Sequence, residues 1–504
     1  MAPLLLLLLL FLPTISSAPS TPHSQSNENE AFISAIISEK GLEFVKDLLI
    51  EQAVKSLIPI RLPDVEESIR VPFIGGVRMA ATNITLLGID VSSSVVRPGE
   101  SGIAIVASGA TVNLSMDWRY SYSTWILPIE ISDHGTASIK VEGMEVGLTM
   151  SMKNKNGTLQ LTAMECGCYM EELIITLNGG ASWFYQGFVD ALGDQIRSAV
   201  ENTITNKISE GTSKLDSLLQ SLPKKINVDN VAALNVTFVK DPVFGNSSIE
   251  FDINGLFVSS SGYTDPRCLH KYPLLSSCGS ASKMLWISLD EAVFNSASVV
   301  YFQAGLMHWI VDKVPDQSLM NTASWKFLIP QLYRKYPNDD MLLDISLTSP
   351  PEVKIREEKI GSTIYLDMTI DVLDNAETIP VACISMEVTI SGFVEILGNN
   401  LAGKATMDDF SLTLKWSKVG NFHMSLIQGV IRVFLKTIFV PYVNSHLRQG
   451  FPLPIVHGFT LQDAYILTSN SRTIVCSDMV FTDSSGTVHT PFQQSDRKLG
   501  KVSI

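Results

Sequence analysis

The sequence is poor in charge and has no basic half. Only 17% of its 504 residues are charged, and 51 acidic residues outnumber 37 basic ones, which gives a net charge of −14. Proteins that bind nucleic acid need concentrated cations to neutralise phosphates. The composition therefore argues against nucleic acid as a partner, and an anionic ligand would need a local cluster of cations.

The short motifs of common enzyme classes are also missing. The sequence has no G-x-S-x-G, H-E-x-x-H, P-loop or G-x-G-x-x-G pattern, and its eight His are scattered. Dispersed catalytic groups leave no such motif, so an esterase or phospholipase stays open as a minor alternative. The sequence predicts a protein that is not an enzyme, with no catalytic residue, no metal site and no cofactor.

Long uncharged apolar runs are absent as well. Leu4–Leu12 is too short to cross a bilayer, and no later run reaches the length of about 18 residues that a membrane helix needs. Small residues at Ser16 and Ala18 suit cleavage after Ala18. Residues 1–18 are therefore predicted to be a secretory signal peptide, with a membrane anchor as the alternative, and the mature chain is expected to be soluble.

Cysteine is scarce, with six residues in the chain. An oxidising secretory route favours their pairing. Cys268 and Cys278 close a short loop and are predicted to form a disulfide. Zinc binding by this pair together with His270 is an alternative that lacks a fourth ligand.

The other four cysteines give weaker signals. Cys383 and Cys476 lie far apart in strand-like runs and form a second candidate pair. Cys166 and Cys168 stand two residues apart, and a bridge between them would strain the backbone. The partners of these two residues stay open.

Five N-x-S/T sequons suit the secretory route. They are Asn83, Asn113, Asn156, Asn235 and Asn246. All five lie in the first half of the chain, so glycans would decorate that half more heavily.

Hydrophobic periodicity in the first half changes twice. After a polar, Pro- and Ser-rich segment at 19–30, which is predicted to be disordered, helical spacing covers 31–58 with an interruption near Gly41. Apolar and polar residues then alternate over 71–177, which indicates antiparallel sheet. The helical period returns over 181–222.

The second half repeats this order of helix, long meander and long helix, which suggests two copies of one domain. A curved sheet around a long apolar helix leaves a seam that can hold a lipid if side chains do not fill it. Apolar residues make up 45% of the chain. The helix at 421–449 is apolar on more than one face, which indicates either plain burial, the commoner case, or a border with a ligand.

One aromatic stretch invites a binding role. Asp117–Pro128 reads DWRYSYSTWILP, with two Trp, two Tyr and one Arg. It could form an amphipathic rim whose aromatics enter a greasy ligand, while Arg and tyrosine hydroxyls meet phosphates. The alternative is that Trp118 and Trp125 are strand residues packed inside a sheet.

Several segments, in order, resemble the family of bactericidal/permeability-increasing protein and lipopolysaccharide-binding protein. RQGFPLPIVHGFTLQDAYI at Arg448–Ile466 is similar to its closing helix, turn and strand. MLWISLDEAVFNSASVVYFQAGLM at Met284–Met307 is similar to the entry into its second barrel. GLEFVKDL, LIPIRLPDVEESIRVPFIGG and SIKVEGMEVGLTM resemble parts of its first half. The lack of positive charge resembles the plant branch most.

The resemblance implies an α+β fold: an elongated boomerang of two pseudo-symmetric barrels joined by a central sheet. Each barrel would be a highly twisted antiparallel sheet with a long helix and an apolar pocket for phospholipid. The boundaries that we predict are a signal peptide at 1–18, a disordered linker at 19–30, a lipid-binding barrel at 31–225, a central sheet and linker at 226–282, a second lipid-binding barrel at 283–481 and a polar tail at 482–504.

The resemblance further implies a lipopolysaccharide site at the tip of the first barrel and lipid pockets along the helices. The tip candidates are Arg70, Arg78, Trp118, Arg119, Tyr120, Tyr122 and Trp125. The pocket candidates are Phe44, Leu48, Trp183, Phe188, Val430 and Phe434. Expected partners are bacterial lipopolysaccharide through its lipid A part, phospholipid, a cell-surface receptor and, peripherally, the bacterial membrane.

Two departures from the family pattern limit what carries over. Mammalian members join a Cys of the strand matching MECGC to the following long helix, but the helix at 181–222 has no Cys here. The tip loop that is basic in mammals keeps only Arg119. A secreted defence protein, in the apoplast if the source is a plant, is the first hypothesis, and a carrier of endogenous phospholipid without a microbial ligand is the alternative.

Overall fold

The protein is described by a computed structural model that covers residues 30–490 except 72–74, 101, 124–129, 187–188, 260–277, 279–282, 315–316, 358, 375–376, 421 and 484–485. The predicted signal peptide, residues 19–29 of the linker, Trp125, Phe188 and Cys268 lie outside the described residues. What is described is mainly antiparallel sheet with a few long helices, an α+β fold.

The chain enters the fold as a strand, β1 (Ile33–Ser38), followed by helix α1 (Glu39–Leu57). The Ser38 hydroxyl caps this helix by accepting from the Gly41 amide at 3.4 Å. A Cβ at Gly41 would lie 2.5 Å from the Met284 carbonyl oxygen, so glycine lets the helix approach the backbone at Met284 closely. The expected helix interrupted near Gly41 was wrong, because residues 33–38 pair in a sheet and Gly41 lies inside α1.

The first barrel wraps one eight-stranded antiparallel sheet around a long helix. Its strands are β2 (Ile60–Arg61), β3 (Val65–Val71), β4 (Gly75–Asp90), β5 (Ser93–Gly99), β6 (Gly102–Ser123), β7 (Glu130–Lys155), β8 (Thr158–Tyr169) and β9 (Glu172–Asn178). The strand order is β2-β4-β6-β7-β8, with β3, β5 and β9 paired to β4, β6 and β7. A short helix α2 (Ser182–Tyr185) and the helix α3 (Asp190–Gln220) follow.

The middle of the chain supplies short strands and one helix. They are β10 (Lys225–Asn227), β11 (Ala232–Asn235), β12 (Val243–Phe244), β13 (Ser248–Ile253), β14 (Phe257–Ser259), β15 (Leu285–Asp290) and α4 (Glu291–Gln303). Strands β10, β11 and β14 form a small antiparallel sheet of their own.

The second barrel repeats the plan of the first. Its elements are β16 (His308–Val311), 3-10 turns at Gln317–Met320 and Thr322–Trp325, α5 (Pro330–Lys335), β17 (Asp340–Leu347), β18 (Glu352–Arg356), β19 (Lys359–Asp374), β20 (Glu377–Leu397), β21 (Asn400–Ser417), α6 (Met424–Phe434), a π-helical segment Leu435–Phe439, α7 (Val440–Leu447) and β22 (Phe451–Pro452). The sheet order is β16-β17-β19-β20-β21-β22, with β18 on β19.

A central sheet joins the two barrels and collects strands from both ends of the chain. After β23 (Phe459–Ser469), β24 (Arg472–Thr482) and β25 (Val488–His489), its order is β12-β13-β1-β15-β24-β23, with β25 on β24. The sheet therefore extends well beyond the predicted 226–282 segment, and β25 lies in the predicted polar tail. Its apolar side chains form a third hydrophobic cluster between the clusters of the barrels.

One disulfide lies at this central sheet, between Cys278 and Cys476, with Cα atoms 6.3 Å apart. The predicted pairs Cys268–Cys278 and Cys383–Cys476 were both wrong. Cys383 is a buried free thiol in the second barrel, because its position on β20 keeps it inside that sheet, and burial raises its pKa. Cys166 and Cys168 are also free and half-buried.

Candidate functional site

The outer end of the first barrel is the end where β6 stops at Ser123 and β7 starts at Glu130. The opposite end, at the β7–β8 turn, contacts the middle of the chain, since the Phe238 amide donates to the Gly157 carbonyl at 3.0 Å. Strand direction thus places the candidate tip residues of β3, β4 and β6 toward the far end from the central sheet.

Three exposed arginines share one face of the sheet near this end. Arg70 on β3 pairs with Gly76 on β4, and Arg78 follows Gly76 by two residues. Arg78 in turn pairs with Ser121 on β6, and Arg119 lies two residues before Ser121. Directly paired residues, and residues two apart in a strand, lie on the same face. The register therefore brings the Arg70, Arg78 and Arg119 positions into one diagonal row on the solvent side. We call this row the arginine face.

The environment of the arginine face is polar. Ser68 and Ser121 flank Arg78 on the two neighbouring strands, and His134 stands opposite Arg119. Among the described residues no carboxylate forms an ion pair with any of the three arginines. Their guanidinium groups are therefore available to an anion, although the register also places the carboxylates of Glu66, Asp117 and Glu130 on this face.

The aromatic side chains of the same stretch point the other way. Trp118 is 1% exposed and Tyr120 is 0% exposed, and Tyr122 packs partly buried against the first-barrel core. The proposed rim of Trp118, Tyr120 and Tyr122 was wrong, because alternate residues of β6 face inward while Arg119 faces outward. Polar and aromatic residues alternate in DWRYSY. Because a strand has a period of two, this alternation already indicated that the aromatics share one face and the polar residues the other.

These aromatics close the outer end of the barrel from inside. Trp118 Nε1 donates to the carbonyls of Thr136 at 3.0 Å and Asn178 at 3.1 Å. The rings of Tyr120 and Tyr185 stack with centroids 4.5 Å apart, and Trp118 meets Tyr120 edge-on at 5.4 Å. A Cβ at Gly135 would lie 2.8 Å from the Trp118 ring, so glycine leaves room for the indole. The cluster supports the sheet beneath the arginines.

One polar atom in this cluster has no hydrogen bond among the described residues, the Tyr120 hydroxyl. Burial, with a smaller contribution from neighbouring Tyr185, raises the pKa of Tyr120 to about 12. The phenol therefore stays neutral and cannot serve as a surface contact to sugar or phosphate, the role that a rim would have given it.

Two of the predicted pocket residues lie away from the first barrel. Phe44 and Leu48 are buried in the central cluster, while Leu57 at the end of the same helix packs into the first-barrel core. Helix α1 therefore bridges the barrel and the central sheet. Trp183 belongs to α2, but its side chain, like Phe188, lies outside the described residues.

The first barrel's helix–sheet seam is held by side chains of α3 that bond the sheet backbone. Asp216 Oδ1 accepts from the Leu161 amide at 2.7 Å, and Arg197 donates to the Met170 carbonyl at 2.6 Å. Buried apolar residues of α3, among them Val200 and Ile204, lie between these contacts and pack in the first-barrel core.

The second barrel closes its seam differently. Asn444 of α7 bonds both backbone groups of Ala405 on β21, accepting from its amide at 2.7 Å and donating to its carbonyl at 2.9 Å. Ile427 and Phe434 are buried in the core, and Val430 is partly buried against it. Phe434 and Val430 therefore line the helix–sheet contact. By length and composition, Met424–Leu447 is the one described helical run that could cross a membrane, a test that core helices of soluble proteins also pass.

Four of the five sequon asparagines are exposed: Asn83, Asn113, Asn156 and Asn246. Asn235 is half-buried, and its side-chain oxygen accepts from Thr237 of the same sequon at 2.8 Å. Accessibility therefore favours glycan attachment at the first four positions over Asn235.

Comparison with known proteins covers nearly the whole chain. The model of the LBP / BPI / CETP family N-terminal domain matches residues 41–222, and that of the C-terminal domain matches 226–480. An Arabidopsis thaliana protein described as a BPI/LBP family protein is 52% identical, over 95% of this chain and 97% of its own length.

More distant relatives and one solved structure match over similar lengths. Bactericidal permeability-increasing protein of Sebastes schlegelii is 26% identical over 88% of this chain and 94% of its own. Human lipopolysaccharide-binding protein is 23% identical over 85% and 89%. A crystal structure of lipopolysaccharide binding protein covers 90% of this chain and 99% of its own, with a TM-score of 0.61 and 19% identity, and shows the same fold.

Proposed function

The chain belongs to the LBP / BPI / CETP family and has its lipid-binding fold, and from this premise we propose that it is a secreted protein that binds bacterial lipopolysaccharide in defence. Phospholipid would bind in apolar pockets of both barrels, and lipid A would bind at the arginine face. The site of action would be extracellular, the apoplast in a plant. The proposal assigns no catalytic step to the protein.

The observation that carries the proposal is the arginine face. Guanidinium groups bind phosphate oxygens through paired hydrogen bonds, which suits the phosphorylated sugars of lipid A. Three exposed arginines in one row, none of which has an ion pair among the described residues, concentrate cations locally in a chain of net charge −14. Because the overall field repels anions, binding would depend on these few contacts and should be less salt-sensitive than in a basic relative.

The test compares two triple variants that remove the same charge from the same barrel. R70Q/R78Q/R119Q empties the arginine face, whereas R97Q/K153Q/K155Q removes three exposed cations near the inner end. We expect the first to weaken binding to lipopolysaccharide micelles by at least about tenfold, since each charge-assisted bond contributes about 1.5 to 3 kcal/mol when fully formed. The second should bind like the wild type.

Two outcomes would contradict the proposal. Equal losses in both triple variants would show that only net charge matters. Wild type that binds no lipopolysaccharide at low or physiological salt would leave the arginine face without this ligand. All six positions are exposed, so circular dichroism should show unchanged folding in both variants.

A carrier of endogenous phospholipid is the second candidate, favoured by the acidic net charge of −14. Solvent extraction of the purified protein and mass spectrometry of the lipids would identify what the pockets hold. A phospholipid recovered from wild type and from R70Q/R78Q/R119Q alike, with no lipopolysaccharide binding in either, would favour the carrier. A cell-surface receptor would then have no role in microbial sensing.

A further inference from the structure

The outer end of the second barrel is covered by residues 317–338, which we call the cap. The cap connects β16 to β17 and joins the sheet where Asn321 bridges to Asp340, the first residue of β17. The other end of this sheet faces the centre, since the amide of Val353 on β18 donates to Asn295 Oδ1 of α4 at 2.7 Å. The cap therefore lies at the end of the barrel that is away from the central sheet.

The cap projects one large apolar side chain into solvent. Phe327 is 88% exposed, while Trp325 and Ile329 on either side of it are buried. Trp325 Nε1 donates to the Leu319 carbonyl at 2.8 Å, and the Ile329 amide donates to the Trp325 carbonyl at 2.7 Å. The turn that carries Phe327 is thus fixed from within, and its outward direction is set by packed neighbours.

The segment that carries this phenylalanine is cationic. The cap contains Lys326, Arg334 and Lys335, all exposed, and no Asp or Glu. Lys326 Nζ lies 5.0 Å from the Tyr333 ring centroid, so it stands against α5, where Arg334 and Lys335 follow. A segment of three cations without an acid is unusual in a chain of net charge −14.

Acidic residues flank the cap in the sequence, with Asp316 directly before it and Asp339 and Asp340 directly after it. Asp339 and Asp340 enter β17, and the Asp340 carboxylate accepts from Asn321 Nδ2 at 2.9 Å. That carboxylate is engaged within the fold at the base of the cap, on the side of the sheet. The cationic and aromatic groups belong to the cap itself.

We propose that the cap docks on the surface of an anionic phospholipid bilayer, with Phe327 entering the headgroup region and the three cations meeting lipid phosphates. An aromatic ring prefers the membrane interface, and cations near an anionic leaflet gain attraction there. A projecting ring on a segment that itself carries three cations and no acid fits a broad anionic surface. This contact is separate from the lipopolysaccharide site proposed on the first barrel.

The test uses the full secreted chain and flotation with vesicles of phosphatidylcholine, with or without phosphatidylglycerol. Wild type should bind the anionic vesicles and bind neutral ones weakly. F327S should lower the affinity for anionic vesicles by at least about tenfold, as expected for losing burial of one Phe side chain. F327W, which keeps an aromatic ring, should bind them like the wild type. K326Q/K335Q should lower affinity about fivefold for each cation, and only on anionic vesicles.

The matched control is F393S on β20, where Phe393 is 54% exposed near the inner end of the same barrel. It should bind vesicles like the wild type. The proposal would be overturned if F327S floated like the wild type, if F393S lost as much, or if wild type ignored anionic lipid.

Lipopolysaccharide binding gives an independent readout. Wild type that binds vesicles but no lipopolysaccharide would support the cap and sink the proposed function. Wild type that binds lipopolysaccharide but no vesicle would support the proposed function and overturn the docking role of the cap.

Discussion

The two barrels share one plan and present different chemistry at their outer ends. In the first, the sheet itself carries the arginines outward and turns Trp118 and Tyr120 inward. In the second, a separate cap holds its Trp inward and its Phe outward. The same fold thus offers a flat cationic face at one end and a projecting aromatic at the other, so the barrels need not bind the same ligand.

The long helices of the two barrels differ in their continuity. Helix α3 runs for 31 residues without interruption. The second helix consists of α6, a π-helical segment and α7 in direct succession, and its buried residues Ile427, Ile431, Leu435 and Phe439 stay four residues apart into the π-helical segment. The comparison shows that sheets of the same plan pack against two different long helices, and four predictions test how far the two barrels are equivalent.

The largest effect is expected from a charge placed among the buried residues of the second helix. I427D buries an unpaired carboxylate at a fully buried position and should lower the free energy of unfolding by at least about 4 kcal/mol. L426D, on the same helix but 51% exposed, should lower it by less than about 1 kcal/mol. Urea unfolding measures both.

The matching change in the first barrel is I196D, also fully buried. Because the central sheet contains strands from both halves, we expect I196D and I427D to lower one common transition. Two separate transitions, each lowered by one variant, would show that the barrels unfold independently.

A smaller effect should follow from opening either seam. N444A removes both hydrogen bonds to Ala405 and should destabilise by about 1 to 3 kcal/mol, whereas D216A removes the bond to the Leu161 amide and should lose about 1 kcal/mol. The control S445A changes an exposed neighbour. If thermal unfolding of N444A matched that of S445A, the Asn444 contact would contribute nothing to the seam.

The smallest effect should come from the outer-end cores. Y120F removes a buried hydroxyl without a partner among the described residues, so stability should stay unchanged or rise by up to about 1 kcal/mol. W325F, in contrast, loses the bond to Leu319 and should destabilise. Equal destabilisation of the two variants in urea would mean that the Tyr120 hydroxyl is satisfied in solution.

Much of the architecture could be predicted from periodicity and from the family resemblance. The repeated order of helix and sheet and the long helices were read from local patterns, whereas the two barrels and the arginine candidates came from the family resemblance. The side of the sheet taken by Trp118 was also readable, from the alternation of Asp117, Arg119 and Ser121 with the aromatics, but the family's basic tip loop outweighed it. Local pattern was correct there and analogy was not.

Other features depend on contacts that no local pattern contains. The strand β1 reads as helix because Phe32, Ile33, Ile36 and Ile37 suit both periods, and only pairing with β13 and β15 decides between them. The bond between Cys278 and Cys476 spans 198 residues, and spacing alone cannot choose it over a short loop.

The position of β1 also fixes an order of events during synthesis. This first strand lies between β13 and β15, and its Ser34 hydroxyl donates to Glu250, 216 residues later. While the chain is synthesised, β1 must wait unpaired until β13 and β15 have emerged, whereas the sheet of the first barrel can already form. Losing β1 by proteolytic trimming at the N-terminus would leave two bare strand edges, on β13 and β15, in the middle of the molecule. The joint between the barrels is thus the last part to be completed and the part most exposed to aggregation before completion.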